Sequence, residues 1–566
     1  MFPNILLLTL ATVAVATAAA AATITNTNTT RHTTRVSLPS ASLLSPQKLL
    51  PDAYGYSIEP TWAAAYCSSN LTSTLLTIIS DTIGGVPPPI RIGGNSADYT
   101  WFKPDLNDGN GATYVAYPNA SSATSLNVSA RWYGMWGDYF PEGTKLLYTL
   151  NFGGDVDDGW ANAIAEAEVA AKVLGNQLTL LEIGNEIDHY ISEDYRAAGW
   201  DVAEYIVQWR NISDRILASD WYGALDSPPK FQAGVFADPP WVPDQQDEID
   251  DFDIVNLTAA GLVDPDVIKG YSMHLYPQST CDTERWYRMS LDLLSNHSVL
   301  WTNLSQYIPQ ATAATTTGGA PLVLGETNSV SCSGRSGISD TFGAALWSTD
   351  YVLMAASLGI EKVYFHLGAQ SQYSAFTPLP YTYEGENLMR GIRANFYSHY
   401  FLAHVLDGAR NLSVAAIPGA NASDFSGYAI YSNDNDDEGQ ATSSSSEPTL
   451  QKLVFLNMGI WNSTHGLHNP STLSSTDSTS SMPGVRPNQT IEIQSTGWAP
   501  GTELRVVRLE GPGTNAKSGV SVSGVGFDME SGERVGVERM ERVVVGEGGR
   551  VGVLLRVAEG VLLVRM

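Results

Sequence analysis

The segment Leu178–Tyr190 reads LTLLEIGNEIDHY, and its first half is an apolar run of the kind found in buried parallel strands. The run ends at Gly184, and the carboxylate of Glu186 follows directly after Asn185. In a closed parallel barrel, the side chains at the carboxyl ends of the strands face one shared pocket. The segment therefore predicts a barrel strand that delivers Glu186 to such a pocket.

A second segment, Pro321–Asn328 (PLVLGETN), has the same design and ends in Glu326. The two glutamates are far apart in the chain, so only the fold can bring them together. Two carboxyl groups that flank a glycosidic bond can hydrolyse it with retention of configuration when they lie about 5–5.5 Å apart. We therefore predict a retaining glycosidase in which Glu186 is the acid/base and Glu326 is the nucleophile. The alternative for Glu186 is a structural ion pair at a helix start.

Several residues near these glutamates are candidates for holding the sugar or the nucleophile. Asn185 can hydrogen-bond the sugar 2-hydroxyl, and the Tyr276 hydroxyl can orient Glu326, with His274 nearby. Asn95 follows one predicted strand, Asn151 ends another, and both are further candidates for substrate binding. The alternative for His274 and Tyr276 is an ordinary place in the core or at the rim.

Strands and helices alternate over about 300 residues. The predicted strands are Ser57–Glu59, Ile90–Ile92, Lys145–Asn151, Phe231–Val235, Val267–Tyr276 and Lys362–His366, besides the two segments above. The predicted helices are Trp62–Ser80, Ala161–Leu174, Tyr195–Ser219, Leu291–Ile308 and an amphipathic Thr341–Leu358. This α/β pattern favours a (β/α)8 TIM barrel over residues 51–400. A doubly wound open sheet is the alternative, but no dinucleotide-type glycine-rich turn is present.

Residues 401–566 have a different texture, with short β-type segments and no long helical pattern. This part predicts a C-terminal β-sandwich domain. Two polar stretches, 432–448 and 471–483, interrupt it and are expected to be exposed loops.

Residues 1–22 have the apolar core and small-residue end of a secretion signal, although a buried N-terminal helix is the alternative. A polar segment, 23–50, follows, and its first part (Thr23–Thr34) is expected to be disordered or trimmed. About a dozen Asn-x-Ser/Thr sites also suit the secretory route. We expect a secreted, extracellular glycoprotein.

The net charge of −28 argues against nucleic acid as a partner, and no internal apolar run is long enough to span a bilayer. No Cys/His spacing resembles a zinc site, and we expect a monomer that needs neither a metal nor another cofactor. The chain has three cysteines. The loops that carry Cys281 and Cys332 follow predicted barrel strands and could meet in a disulfide, leaving Cys67 as a buried thiol. Three separate thiols are the alternative.

Six motifs together resemble glycoside hydrolase family 79. They are RIGGNSAD (Arg91–Asp98), TLNFGG (Thr149–Gly154), EIGNE (Glu182–Glu186), SMHLY (Ser272–Tyr276), GETNS (Gly325–Ser329) and GISDTFGAALW (Gly337–Trp347). The resemblance covers about Tyr54 to Tyr400. It implies a retaining enzyme built on a barrel, with the acid/base after strand four and the nucleophile after strand seven. The family contains β-glucuronidases of fungi and bacteria and the heparanases.

The resemblance also implies that tyrosine hydroxyls and backbone N–H groups hold the glucuronate carboxylate. Tyr373 matches one such tyrosine, and Gly334 could supply an N–H group. Another tyrosine is usual shortly after the nucleophile, where this chain has Ser331 and Cys332. The leading hypothesis is an exo-acting enzyme that removes terminal β-linked glucuronic acid, with or without a 4-O-methyl group, from glycans.

Two other functions are kept as alternatives. An endo-acting, heparanase-like β-glucuronidase would need cationic subsites for a sulfated chain, and the acidic composition argues against it. A carbohydrate-binding protein without catalysis is the other, and the presence of both glutamates argues against that.

Overall fold

The computed structural model describes residues 32–40, 43–45, 47–106, 112–113, 124–154, 158–240, 251–283, 285–408, 411–432, 448–473 and 481–566. The predicted signal peptide, residues 23–31 of the polar segment, and residues 433–447 and 474–480 of the two predicted loops lie outside these ranges. No helix in the described part has the length and apolar character needed to cross a membrane.

Eight parallel strands close into a barrel in chain order, each strand hydrogen-bonded to its neighbours in sequence. They are β1 Tyr54–Ile58, β2 Ile90–Ile92, β3 Leu146–Leu150, β4 Leu178–Ile183, β5 Lys230–Phe236, β6 Ile268–Leu275, β7 Leu322–Thr327 and β8 Ile360–Leu367. Apolar side chains dominate these strands, as expected for strands buried on both faces. The predicted TIM barrel is confirmed.

Helices follow every barrel strand. Their bounds, in chain order, are Ala63–Tyr66, Asn70–Thr82, Ala130–Tyr139, Asp158–Leu174, Val202–Leu217, Asp220–Gly223, Ile254–Ala259, Leu291–Leu294, His297–Leu304, Ile308–Ala313, Phe342–Ser357 and Phe396–Leu406. Two predicted helices, Trp62–Ser80 and Leu291–Ile308, are interrupted. Ser69 is extended and donates to the Pro378 carbonyl, and Asn296 caps a new helix by accepting from the Ser298 and Val299 N–H groups. The local contacts of Asn296 with the backbone start a new helix and so interrupt the predicted one.

The helix Phe342–Ser357 was predicted to be amphipathic, and that prediction is wrong. Its residues from Phe342 to Ala356 are all buried, because the barrel covers one side and the C-terminal domain covers the other. Tyr428 of that domain donates a 2.6 Å hydrogen bond to Asp350 on the outer face of this helix. A helix between two packed layers needs no polar stripe.

The C-terminal domain is a β-sandwich, as predicted. Its larger antiparallel sheet runs in the order Leu412–Ala422, Phe425–Ser432, Thr449–Asn457, Glu559–Arg565, Glu503–Glu510, Ser521–Val522, Val525–Phe527 and Arg534–Gly536, with Glu541–Val544 also paired to Glu503–Glu510. The smaller sheet contains His32–Ser37, Asn488–Gln494 and Val551–Arg556. Aliphatic side chains such as Val36, Ile491 and Leu453 fill the space between the sheets.

The N-terminal polar segment and the second predicted loop each differ from expectation. His32–Ser37 lies in the predicted polar segment yet forms a sandwich strand parallel to Asn488–Gln494, because Val36 reaches the core while its neighbours remain polar. The described start of the second predicted loop, Ser471–Leu473, is buried rather than exposed. Leu473 packs there against Tyr381 and Leu388 of a hairpin that follows β8.

Candidate active site

The two predicted catalytic glutamates lie at the carboxyl end of the barrel. Glu326 occupies the end of β7, directly in register with His274 on β6. Glu186 follows β4 in a left-handed conformation (φ 49°, ψ 51°), an unusual state for a residue with a Cβ that clusters at functional sites. A carboxyl oxygen of each glutamate and a ring nitrogen of His274 all lie within 4.8 Å of one another. The fold therefore brings the two glutamates face to face.

Glu326 is surrounded by donors. Tyr276 donates a 2.8 Å hydrogen bond to Oε1, and Arg91 Nη1 lies 2.9 Å from Oε2. His366 Nδ1 lies 3.4 Å from the same Oε2. Burial by itself opposes ionisation, but the facing His366, His274 and Arg91 and the Tyr276 hydrogen bond lower the pKa of Glu326 to about 2. The carboxylate is therefore ionised at any ordinary pH.

Arg91 makes the most extensive contacts in the site, although the sequence did not predict a role for it. Its Nε donates to Glu182 at 2.8 Å, its Nη2 to Asn185 at 2.9 Å, and its Nη1 also to Ser57 at 3.0 Å. The guanidinium is fully buried and thus links strands β1, β2 and β4 to Glu326. The sequence feature that could have identified Arg91 is a charged residue in the middle of a three-residue apolar strand.

Glu182 balances the buried charge of Arg91 on the side away from the cleft. It accepts hydrogen bonds from Thr149 at 2.7 Å and from Gln232 at 2.6 Å, besides the contact with Arg91. Both of its oxygens are therefore satisfied in the barrel interior, where an unpaired carboxylate would be costly. This layer of polar side chains supports the site from the barrel interior.

Glu186 contacts histidines on two sides. His274 Nδ1 lies 2.9 Å from its Oε1, and His189 Nδ1 lies 4.0 Å from its Oε2. His189 is also 3.4 Å from Asp238. Burial opposes the charged form of His189, but Asp238, Asp188 and Glu186 raise its pKa to about 10. The turn that carries Glu186 is therefore held by an imidazolium.

The predicted asparagines fall into two groups. The Asn185 side chain donates to Asn95 at 2.9 Å, so both lie beside the glutamates, as expected. Asn151 instead uses its amide within the barrel wall: Nδ2 donates to the Thr100 carbonyl at 2.6 Å, and Oδ1 accepts from Gly154. The predicted substrate contact at Asn151 is corrected to a structural role, because its polar groups already have backbone partners.

Tyr373 and Gly334 lie next to one another on another wall. The Tyr373 ring packs against Tyr276, with 6.2 Å between ring centroids, and against His366 at 6.0 Å. Gly334 has a φ of +80°, and a Cβ at this position would come within 2.6 Å of the Tyr373 backbone nitrogen. This close approach requires glycine. Asn328 fixes the same wall by donating to the His366 and Tyr373 carbonyls.

The loops that follow β6 and β7 are covalently joined. Cys281 and Cys332 form a disulfide with 6.1 Å between their Cα atoms, and Cys67 is a buried free thiol. The predicted disulfide is thus confirmed, and the alternative of three separate thiols is excluded.

A third acid, Glu59, follows β1 and was not singled out from the sequence. It accepts hydrogen bonds from the Ser96 backbone, at 2.8 Å, and from the Ser96 hydroxyl. Burial and the nearby Glu326 carboxylate raise the pKa of Glu59 to about 7. The sequence feature that could have identified Glu59 is a carboxylate at the end of the predicted strand Ser57–Glu59.

Two groups of residues in the described part have the donor atoms of a metal site. One is Glu186, His274 and Glu326, and the other is Asp188, His189 and Asp238. In the second group, Asp188 accepts from the Ala237 and Asp238 N–H groups and thereby anchors the loop after β5. Contacts within the protein account for both groups, and we assign a metal to neither.

Comparison with known proteins agrees with this architecture. Residues 427–562 match the model of the glycosyl hydrolase family 79 C-terminal beta domain. A β-glucuronidase of Aspergillus niger is 26% identical over 503 residues, covering 87% of this chain and 85% of that protein. A β-glucuronidase of Neurospora crassa is 25% identical over 537 residues, covering 89% and 91%.

Solved structures share the fold. A 4-O-α-L-rhamnosyl-β-D-glucuronidase from Fusarium oxysporum superposes with a TM-score of 0.71 at 24% identity, covering 94% of this chain and all of that one. A family 51 arabinofuranosidase from Xanthomonas axonopodis gives 0.57 at 10% identity, covering 95% of this chain and all of that one. The domain match and the two long alignments, which also span the barrel, point the same way: over both domains the chain is similar to members of glycoside hydrolase family 79.

Proposed function

We propose that this glycoside hydrolase is a retaining β-glucuronidase that removes terminal glucuronic acid from glycans. The observation that carries the mechanism is the approach of Glu186 and Glu326 to within 4.8 Å between carboxyl oxygens. Inverting enzymes separate their carboxyl groups by about 6.5–9.5 Å to admit a water molecule, whereas retaining enzymes hold them at about 5–5.5 Å. The close pair supports double displacement.

In the first step, Glu326 attacks the anomeric carbon and Glu186 protonates the departing oxygen. The environment of Glu326 suits a nucleophile, because Arg91 and Tyr276 keep it ionised and fix both of its oxygens. Burial lowers the pKa of His366. Arg91, whose guanidinium does not deprotonate, supplies the permanent positive charge beside the carboxylate.

In the second step, Glu186 takes a proton from water, and the water oxygen attacks the anomeric carbon and displaces Glu326. Glu186 is the less enclosed of the two glutamates, with 16% of its side chain exposed against 9% for Glu326. That difference suits a group that exchanges protons with water and with the departing part of the substrate. His274 orients the carboxyl group through its 2.9 Å contact.

The substrate class rests on the two curated relatives, both described as β-glucuronidases, and on the wall formed by Tyr373 and Gly334. A tyrosine hydroxyl and backbone N–H groups can bind a carboxylate in a dry pocket without a cationic side chain. Such donors suit a protein with a net charge of −28. The N-terminal apolar segment and the glycosylation sites support secretion.

The test is an assay of the purified enzyme on the p-nitrophenyl β-glycosides of glucuronic acid, glucose, galactose and xylose. We expect strong preference for the glucuronide, with no turnover above background in Glu186→Gln and Glu326→Gln variants that keep the wild-type melting temperature. Activity on a neutral sugar alone would contradict the uronate assignment. Retained activity in either glutamine variant would contradict the mechanism.

A further inference from the structure

The loop after β7 contains an unusual backbone segment. Cys332, Ser333 and Gly334 have φ values of 60°, 74° and 80°. In the described part of the chain this is the only run of three consecutive residues with positive φ. Two of the three carry a Cβ, for which the left-handed conformation is unfavourable, and such a segment persists only when surrounding contacts impose it. We call residues 332–334 the left-handed turn.

The turn offers hydrogen-bond donors beside the catalytic centre. Among the described residues, no group accepts a hydrogen bond from the backbone N–H of Ser333 or of Gly334. Successive N–H groups in a tight turn form a concave site that favours anions. Gly334 is buried against the backbone of Tyr373, whose ring packs on Tyr276, the donor to Glu326. The turn therefore lies next to the wall that we assign to the uronate carboxylate.

Few contacts impose this conformation. The Thr280 hydroxyl lies 3.0 Å from the Cys332 carbonyl, and the Gln372 N–H donates to the Ser333 carbonyl at 2.6 Å. Gly334 also packs against the Tyr373 backbone, and the disulfide from Cys332 to Cys281 adds a covalent restraint. Just before the two cysteines, their loops pair in parallel through Gln278–Ser279 and Val330–Ser331. Both cysteines are exposed to solvent.

We propose that the Cys281–Cys332 disulfide is a specificity-determining element of this enzyme, because it holds the left-handed turn in the conformation that receives the uronate carboxylate. The inference rests on the proposed β-glucuronidase function and adds to it the element that sets selectivity for the charged sugar. Without the bridge, Cys332 and Ser333 are free to relax to negative φ, which changes the directions of the Ser333 and Gly334 N–H groups. The glutamate pair is attached to other segments and keeps its chemistry.

The first experiment compares Cys281→Ser, Cys332→Ser and the double variant with the wild type and with Cys67→Ala, which removes the thiol outside the disulfide. We expect a roughly tenfold to hundredfold rise in KM for p-nitrophenyl β-glucuronide in the three bridge variants, with a smaller change in kcat. The inhibition constant of free glucuronate should rise in parallel, whereas that of glucose should not. A purely structural role would weaken binding of both sugars equally and would overturn the inference.

The second experiment breaks the disulfide in the folded wild-type enzyme. Dithiothreitol, well below the melting temperature, converts the exposed disulfide to two thiols and itself becomes a cyclic disulfide. We expect the reduced wild type to acquire the high KM of the double variant, the double variant to be unaffected, and reoxidation to restore the low KM. An unchanged KM in the fully reduced wild type would overturn this inference alone. Absence of any glucuronide turnover by the oxidised wild type would overturn the proposed function and this inference with it.

Discussion

Arg91 Nη1 lies 2.9 Å from Glu326 Oε2, and the same guanidinium lies 2.8 Å from Glu182. The Arg91 and Glu182 side chains are fully buried, and that of Glu326 is 9% exposed. Arginine remains charged at all relevant pH values, so one cation serves two carboxylates in a region of low dielectric. The relationship explains how the buried carboxylate of Glu326, the proposed nucleophile, stays ionised inside an acidic protein.

Replacement of Arg91 by lysine should therefore strongly reduce both the activity and the stability of the protein. A single ammonium cannot reach Glu182, Asn185 and Glu326 together, and an incompletely paired buried carboxylate costs about 3–5 kcal/mol. We expect kcat/KM to fall at least about a hundredfold and the melting temperature to drop. Arg35→Lys is the control, since its ion pair with Glu492 is exposed and is worth about 1 kcal/mol or less. Equal effects of the two substitutions would contradict this view of Arg91.

Tyr276→Phe should impair Glu326, the proposed nucleophile, without unfolding the protein. The substitution removes a 2.8 Å hydrogen bond that helps to keep the pKa of Glu326 low. We expect a fall in kcat of about ten- to a hundredfold and a shift of the acid limb of the pH–rate profile to higher pH. Tyr431→Phe in the C-terminal domain, where the hydroxyl binds the Pro39 carbonyl, is the matched control. An unshifted acid limb would exclude the proposed role.

Tyr373→Phe should separate substrate binding from chemistry. Its ring stays packed on Tyr276 and His366 in the variant, so the wall is preserved and only the hydroxyl is lost. We expect KM for the glucuronide to rise about tenfold while kcat changes little. Steady-state kinetics on the glucuronide and the glucoside check this, and an equal loss on both sugars would show that the hydroxyl does not contact the carboxylate.

The contribution of Asp98 to the stability of the protein should decrease from mildly acidic to mildly alkaline pH. Burial raises the pKa of Asp98 to about 7, above its unfolded value of 3.8. The native state therefore binds this proton more tightly, and the stability it contributes is complete below about pH 4 and is lost as the pH rises to about 7. Denaturant unfolding at pH 5 and pH 8 should show a decline on the order of 2–4 kcal/mol from this group.

Asp98→Asn tests that assignment, because an amide does not titrate in this range. The variant should show a shallower dependence of unfolding free energy on pH, whereas Asp81→Asn, at an exposed helical position, should retain the wild-type slope. Glu326 has the opposite sign of shift, but its contribution is lost only as the pH falls through about 2, outside the window measured. A wild-type slope in Asp98→Asn would refute the assignment to Asp98.

The barrel and both glutamates could be predicted from the sequence, because polar residues that directly follow apolar strands lie at the end of a parallel barrel where active sites form. This rule did not identify Arg91, since its role depends on carboxylates from β4 and β7 that only the closed barrel brings near it. For Asn151, the same rule predicted a substrate contact that the structure does not support. It lies at a strand end, as the pattern requires, yet neighbouring backbone groups bind its side chain.

Other differences arise from tertiary burial. The helix Phe342–Ser357 is apolar on every side because a second domain covers it, and its local sequence does not identify that partner. The strand His32–Ser37 has a single buried aliphatic residue, Val36, and its partner strand follows more than 450 residues later. Local periodicity carries no information about pairing at that separation.

The most direct test of the central claim is to follow hydrolysis of p-nitrophenyl β-glucuronide by proton NMR during the first minutes. Two displacements at the anomeric carbon, first by Glu326 and then by water, should release β-glucuronic acid as the first product, with the α-anomer appearing later through mutarotation. Initial release of the α-anomer would show a single displacement and contradict the assignment of Glu326 as nucleophile.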